Sequence, residues 1–183
     1  MSRPDSAPRR AFLTTTASAS ALALLGTSGC ADATGPGTPM LSLAAAADAV
    51  ARLAQAPGRR GDAGWNWAQT LEHCAQSIEY SMTGFPLMKP VLFQRTVGAA
   101  AFAVFSWRGR MSHDLAEPIP GAPAIDRGTD HARALARLQA AVAAFAAWSG
   151  PLQPHFAYGP LDKAAYERAH ALHIANHLTA FSA

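Results

Sequence analysis

Apolar residues recur at helical rather than alternating spacing along most of the chain, and Gly/Pro clusters cut the pattern into segments. The first predicted helix runs from Leu43 to Ala56, with Ser42 at its cap and Pro57-Gly58 as its stop. A second begins at Trp67. Asn66 followed three residues later by Gln69 forms a capping box, in which each side chain satisfies the other residue's free amide. Trp67, Leu71, Cys74, Ile78 and Met82 then follow at intervals of four, three, four and four, an apolar stripe that Gly84, Phe85 and Pro86 end. Val91 to Trp107 is strongly apolar yet too short to span a bilayer, and predicts a mostly buried helix. His131 to Trp148 predicts another, capped by Thr129 or Asp130 and stopped by Gly150-Pro151; Lys163 to Phe181 predicts the last, capped by Asp162. Residues 108–128 carry Gly109, Pro118, Pro120, Gly121, Pro123 and Gly128, a connection of the length that often covers a site. No alternating strand pattern competes. The expected fold is all-α, a four-helix bundle with an additional short helix and a long connecting loop.

The last helix carries the candidate chemistry. Tyr166, His170, His173, His177 and Ala180 follow the spacing of a core seam, and at 100° per residue the three imidazoles lie within about 60° of one another. Unpartnered polar rings are expensive to bury, whereas a histidine pair four apart can hold one divalent ion from successive turns. By spacing alone, His173 and His177 are either a satisfied core pair or ligands. Upstream, His73 is the histidine in a strong helical segment. It lies away from the centre of the Trp67-to-Met82 stripe, on a side shared with Thr70, Ser77, Tyr80 and Gly84, residues that could wall a pocket. Cys74 points inward, as a buried unliganded cysteine or as a thiolate ligand. Glu72 and Glu79 are expected to be solvated or salt-bridged, and Asp114 and Glu117 lie in the long connection.

Three segments carry a family resemblance: Trp67 and, after five intervening residues, His73-Cys74-Ala75, the loop Pro154-His155-Phe156-Ala157-Tyr158-Gly159, and the stretch His173-Ile174-Ala175-Asn176-His177-Leu178-Thr179-Ala180-Phe181. Together, over residues 40–183, they resemble the DinB/YfiT-like metalloenzyme superfamily and within it a DUF1569-like branch. The resemblance implies a DinB-like four-helix bundle whose second helix supplies one histidine and whose last supplies two. The implied ligands of a divalent transition metal, zinc or nickel, are His73, His173 and His177. It also implies that His170 lines the pocket and that His155 stands near its mouth. His170, His155 and Tyr158 are then the candidates for proton handling.

Composition refines location more than chemistry. Met1 to Cys30 has a basic head, an Ala/Thr/Leu-rich run of about 14 residues and a small-residue exit, the pattern of a cleaved signal. Arg9-Arg10-Ala11-Phe12-Leu13 resembles a twin-arginine export signal, which implies the twin-arginine machinery as a partner. Leu25-Gly26-Thr27-Ser28-Gly29-Cys30 resembles a lipoprotein site, with lipid on Cys30 and attachment to a membrane. The domain reading is therefore a signal over 1–30, a flexible tether over 31–39 and the helical domain over 40–183. Arg3, Arg9 and Arg10 against Asp5 lie in the signal, so residues 31–183 carry 12 cations and 11 acids. A chain so nearly neutral, with no basic patch interleaved with aromatics, excludes nucleic acid as a partner. Once Cys30 is committed, Cys74 has no second cysteine to pair with.

The expected function is an exported, metal-dependent enzyme acting on a small molecule, with hydrolysis as the reaction. The alternatives are a DinB-like thiol-dependent transferase and a noncatalytic metal-binding or structural lipoprotein. Oligomeric state is left open.

Overall fold

The computed structural model describes residues 42–56, 60–61 and 64–182. The expected export signal over 1–30 with Cys30, the expected tether over 31–39 and the expected Pro57-Gly58 stop lie outside the described residues. The elements in chain order are α1 Leu43–Gln55, β1 Arg60–Gly61, α2 Trp67–Thr83, α3 Val91–Phe93, a π-helical turn Gln94–Gly98, α4 Ala99–Arg108, α5 His131–Ala147, α6 Lys163–Leu178 and β2 Phe181–Ser182. This is a DinB-like multi-helix bundle with an extra helix.

Local signals explain the starts of the helices. Ser42 Oγ accepts the Ala45 amide at 3.2 Å, and Asp130 and Asp162 accept the amides of Arg133 and Ala165 at 2.9 and 2.8 Å. The capping box of α2 forms in both directions, Gln69 N to Asn66 Oδ1 at 2.9 Å and Asn66 N to Gln69 Oε1 at 3.2 Å. Each bond satisfies an amide that the first turn leaves without a partner.

Helix α2 is the central rod, with 14 of its 17 residues buried. Its apolar stripe packs mainly on α5, whose buried Ala134, Leu138, Ala141 and Phe145 recur at four, three and four residues. The two alanines leave room for α2. At the rim of this contact Arg137 donates to Glu79, Nε to Oε1 at 3.0 Å and Nη2 to Oε2 at 2.7 Å, and it also pairs with Glu72. Helix α1 seats Leu43, Ala46 and Val50 against α6 and α5.

The second side of α2 is polar, and the 109–130 connection covers it. Asn66 Nδ2 donates to the carbonyl of Arg127 at 2.9 Å, Gln69 Nε2 to that of Ile125 at 3.3 Å and Gln76 Nε2 to that of Pro123 at 3.4 Å. Alternate carbonyls of an extended strap thus meet one face of the helix, in antiparallel order. Four extended residues span about 13 Å and ten helical residues about 15 Å, so the two registers match. Ile119 closes the strap by joining the core.

Two sequence expectations need correction. Residues 91–108 do not form a mostly buried helix: Leu92 is 76% exposed and Trp107 85%. This rod packs on the bundle mainly through α4 against α6, which leaves its outer residues exposed. Nor does the last helix reach Phe181. The amides of Thr179 and Ala180 bond to Asn176 and His177 carbonyls at 3.2 Å, a tightened final turn that releases the chain after Leu178. Phe181 and Ser182 then pair antiparallel with Gly61 and Arg60, a two-stranded ladder too short to leave an alternating pattern.

Two close contacts bracket the π turn. Gln94 donates from Nε2 to the carbonyl of Lys89 at 2.7 Å, and the backbone of Ala157 approaches Gly98 so closely that a Cβ there would lie 1.8 Å from its carbonyl oxygen. Replacing Gly98 with Ala must displace backbone rather than a side chain. Gly98→Ala is expected to lower stability by roughly 1–3 kcal/mol, the usual range for overpacking. Urea unfolding should show a lower midpoint at unchanged slope.

Candidate metal centre

The 3.6-residue repeat places His173 and His177 on successive turns of α6, and the covered polar side of α2 presents His73 to them. His73 Nε2 lies 3.1 Å from His173 Nε2, and His177 Nε2 lies 3.1 Å from the same atom. All three ligand atoms fall within 4.8 Å of one another. Nitrogens bound tetrahedrally at about 2.0–2.1 Å stand about 3.3 Å apart, so the gathered imidazoles fit one divalent ion with little movement. The donor set fits as well, because two helices supply three neutral nitrogens and leave a position open.

Burial keeps these rings neutral. His73 is pushed down to about 3, first by burial and then by His113. His177 is pushed down to about 2 by burial, with His73 and His113 adding to it. His173 lies well below its usual value because of burial, then because of His177, His73 and His113. Neutral imidazole is the form that binds metal, so little proton competition remains at neutral pH. Trp65 roofs the cluster, tilted 4.8 Å from His73 and stacked 6.3 Å from His177.

A fourth imidazole stands beside the three. His113, from the long connection, has its ring 5.1 Å from that of His173 and 5.0 Å from that of His177. Its Nδ1 meets the Asp114 carbonyl at 2.7 Å, which sets the proton on Nδ1. Its Nε2 is buried and without a hydrogen-bond partner, as is Nδ1 of His73.

The cluster opens into a cavity of about 300 Å³ lined by His73, His173 and His113 with Lys89, Phe93, Met111 and Glu117. His155, Tyr158 and His170 line the same cavity. His155 Nδ1 accepts the amides of Ala157 and Tyr158 at 3.1 and 3.2 Å, leaving its proton on Nε2. Its ring stacks 4.2 Å from that of Tyr158, whose other neighbour is Phe102 at 5.3 Å. Burial pushes His155 down to about 3 and Tyr158 up to about 12, so both carry a donor hydrogen at neutral pH. His170 is held differently. Ser81 Oγ donates to the Ile78 carbonyl at 2.6 Å, so the 3.2 Å contact from His170 Nε2 is a donation to Ser81. Tyr166 stacks on His170 at 5.3 Å and Phe145 meets it edge-on at 5.1 Å.

Cys74 is not part of the cluster. Burial raises its thiol to about 12, and it belongs to the apolar core, which leaves the unliganded reading. Glu72 and Glu79 are the salt-bridged pair on Arg137. Sequence reasoning missed His113 and Trp65. The one visible pointer to His113 was the length of the connection that carries it; Trp65 sits in a turn just ahead of a cap and has no periodic signal.

A family model described as "Protein of unknown function (DUF1569)" matches residues 39–183. No curated protein and no solved structure matches the chain.

The buried histidines set an acid limit on stability. His170 is held down at about 3 by burial against an ordinary value of 6.5. Below 6.5 the unfolded chain takes a proton that the folded one refuses, so stability is complete above that pH and falls toward pH 3. The loss is about 1.4 kcal/mol per pH unit for each such ring. In metal-free protein, His170→Gln keeps an N–H for Ser81 and should reduce the proton uptake on unfolding between pH 6 and 4 by one. An unchanged slope of stability against pH would contradict the neutral, buried His170.

Proposed function

The chain belongs to this DUF1569 family, and from its site we propose an exported metal-dependent enzyme that hydrolyses a small molecule. The observation that carries the reading is the convergence of His73, His173 and His177 Nε2 atoms beside a cavity. Three imidazoles suit zinc or nickel. Such an ion supplies Lewis acidity and eases loss of a proton from water or a substrate hydroxyl.

The remaining steps belong to the protein. His113, with Nδ1–H committed to Asp114, has a free Nε2 lone pair that accepts the proton released by the attacking water and returns it to the leaving group as the scissile bond breaks. His155 Nε2–H and the Tyr158 hydroxyl donate to polar atoms of the substrate from the cavity wall. His170, locked by Ser81, Tyr166 and Phe145, holds the floor of the cavity in shape. Phe93, Phe156, Met111 and Ile119 supply the apolar lining for the substrate body and exclude water from it.

Two experiments test this. Protein purified without a polyhistidine tag is expected to hold one zinc or nickel per chain by elemental analysis and to cleave activated esters or amides. His177→Ala should weaken binding by more than the roughly 10–100-fold seen when a partner behind a ligand is removed. His170→Ala should retain the metal. Metal retained equally by His177→Ala would overturn the ligand set, and metal bound without cleavage would favour the noncatalytic reading. For export, the support is Arg9-Arg10 ahead of the apolar run and Cys30 at its exit. Replacing both arginines with lysine should trap the precursor in the cytoplasm, read by fractionation, and Cys30→Ser should abolish lipid labelling.

A further inference from the structure

All the exposed large hydrophobic side chains among the described residues lie between 87 and 107: Leu87, Met88, Val91, Leu92, Val97, Val104 and Trp107. Single exposed apolar residues are ordinary, but their confinement to one rod and its approach marks a surface with a partner. The rod packs on the bundle mainly through α4 against α6, and Leu92, Val97, Val104 and Trp107 on its outer side are exposed. Charge is segregated onto the same segment. Between Glu79 and Asp114 the chain has Lys89, Arg95, Arg108 and Arg110 and no acid, and all four cations are exposed. None is ion-paired among the described residues. Residues 31–183 are nearly neutral, so the remainder of the domain carries a net negative charge.

We propose that the outer face of residues 87–110 lies on an anionic lipid surface, with Leu92 and Trp107 entering the headgroup boundary and Arg95 and Arg108 meeting lipid phosphates. An apolar helix face flanked by cations is the chemistry of interfacial binding. Trp107 beside Arg108 places an amphipathic ring and a cation at one end of the rod, the pairing that anchors helices at a headgroup layer. The rod lies on the membrane and does not cross it, because no described helix is long and apolar enough to span. A second copy of the chain fits less well. A two-fold contact through this face would set the same four cations against one another with no acid to separate them. Lys89 and Phe93 also line the cavity, so its mouth opens beside the docked face.

The test uses the full chain and vesicles of phosphatidylcholine alone or with about one-third phosphatidylglycerol, the anionic lipid carrying the surface potential. Sedimentation is expected to show binding only to the anionic vesicles. Arg95→Gln with Arg108→Gln should weaken it roughly 30-fold at low salt. Leu92→Gln with Trp107→Gln should weaken it at least as much, and all four substitutions are on exposed positions. Brominated lipid should quench a tryptophan component that Trp107→Phe removes. Equal binding by wild type and both variants would assign it to the N-terminal segment and overturn the proposal. Equal binding to neutral vesicles, or no vesicle binding with a dimer that Leu92→Gln dissociates, would overturn it too.

Discussion

Carbonyl groups of the 109–130 strap take the amide hydrogens of Asn66, Gln69 and Gln76, and on those bonds the burial of α2 depends. A helix with a polar stripe cannot be surrounded unless that stripe is satisfied, since each unpartnered amide would cost about 1–3 kcal/mol. His73 occupies the same stripe. Covered by the strap and by Trp65, it loses contact with bulk water on one side while its Nε2 faces α6 on the other. The core contact with α5 then fixes the depth of His73, and the strap contributes His113 from the same chain segment. Packing and chemistry here share one set of hydrogen bonds.

The two acids of α2 are turned away from this cluster. Glu72 is next to His73 in sequence but about 100° away around the helix, and that angle delivers its carboxylate to Arg137 rather than to the imidazoles. Glu79 shares the same guanidinium. Charge and countercharge are thus gathered at the α2–α5 rim, partly open to water, while burial keeps His73, His173 and His177 neutral. Carboxylates beside the cluster would favour protonated imidazolium, which cannot bind metal.

Much of this was legible because it is local. Caps at Ser42, Asn66, Asp130 and Asp162 are short-range chemistry, and each forms. The apolar stripe of α2 and the histidine seam of α6 are periodic, and both are buried apart from the half-buried His173. The inward turn of His73 was ambiguous from spacing because a wheel shows which residues share a face, not what covers it. Asn66, Gln69, Thr70, Gln76 and Ser77 form a second, polar stripe around His73, and amide side chains at that spacing were the one local hint of a carbonyl strap. His113 is positioned by tertiary contacts of an irregular segment, which leave no period to read. The exposure of residues 91–108 was hidden for a related reason: apolar composition predicts burial against something, and only the assembled bundle shows that the outer face has no neighbour within the described chain.

That exposed rod also explains the shape of the cavity mouth. Its inner face meets the 155–159 loop largely through backbone: Lys89 N donates to the Phe156 carbonyl at 2.9 Å, and the Ala157 carbonyl presses on Gly98. Contact at that range requires a residue without a Cβ, and Gly98 lies in the π turn that re-aims the rod at this point. The loop in turn stacks His155 on Tyr158 and Tyr158 on Phe102 of α4. Holding the wall by main-chain contacts leaves the outward side chains of the rod free of any role in packing. Their composition, apolar with cations and no acids, therefore reflects what lies outside the fold rather than what the fold needs, whereas in α2 and α6 composition and packing cannot be separated.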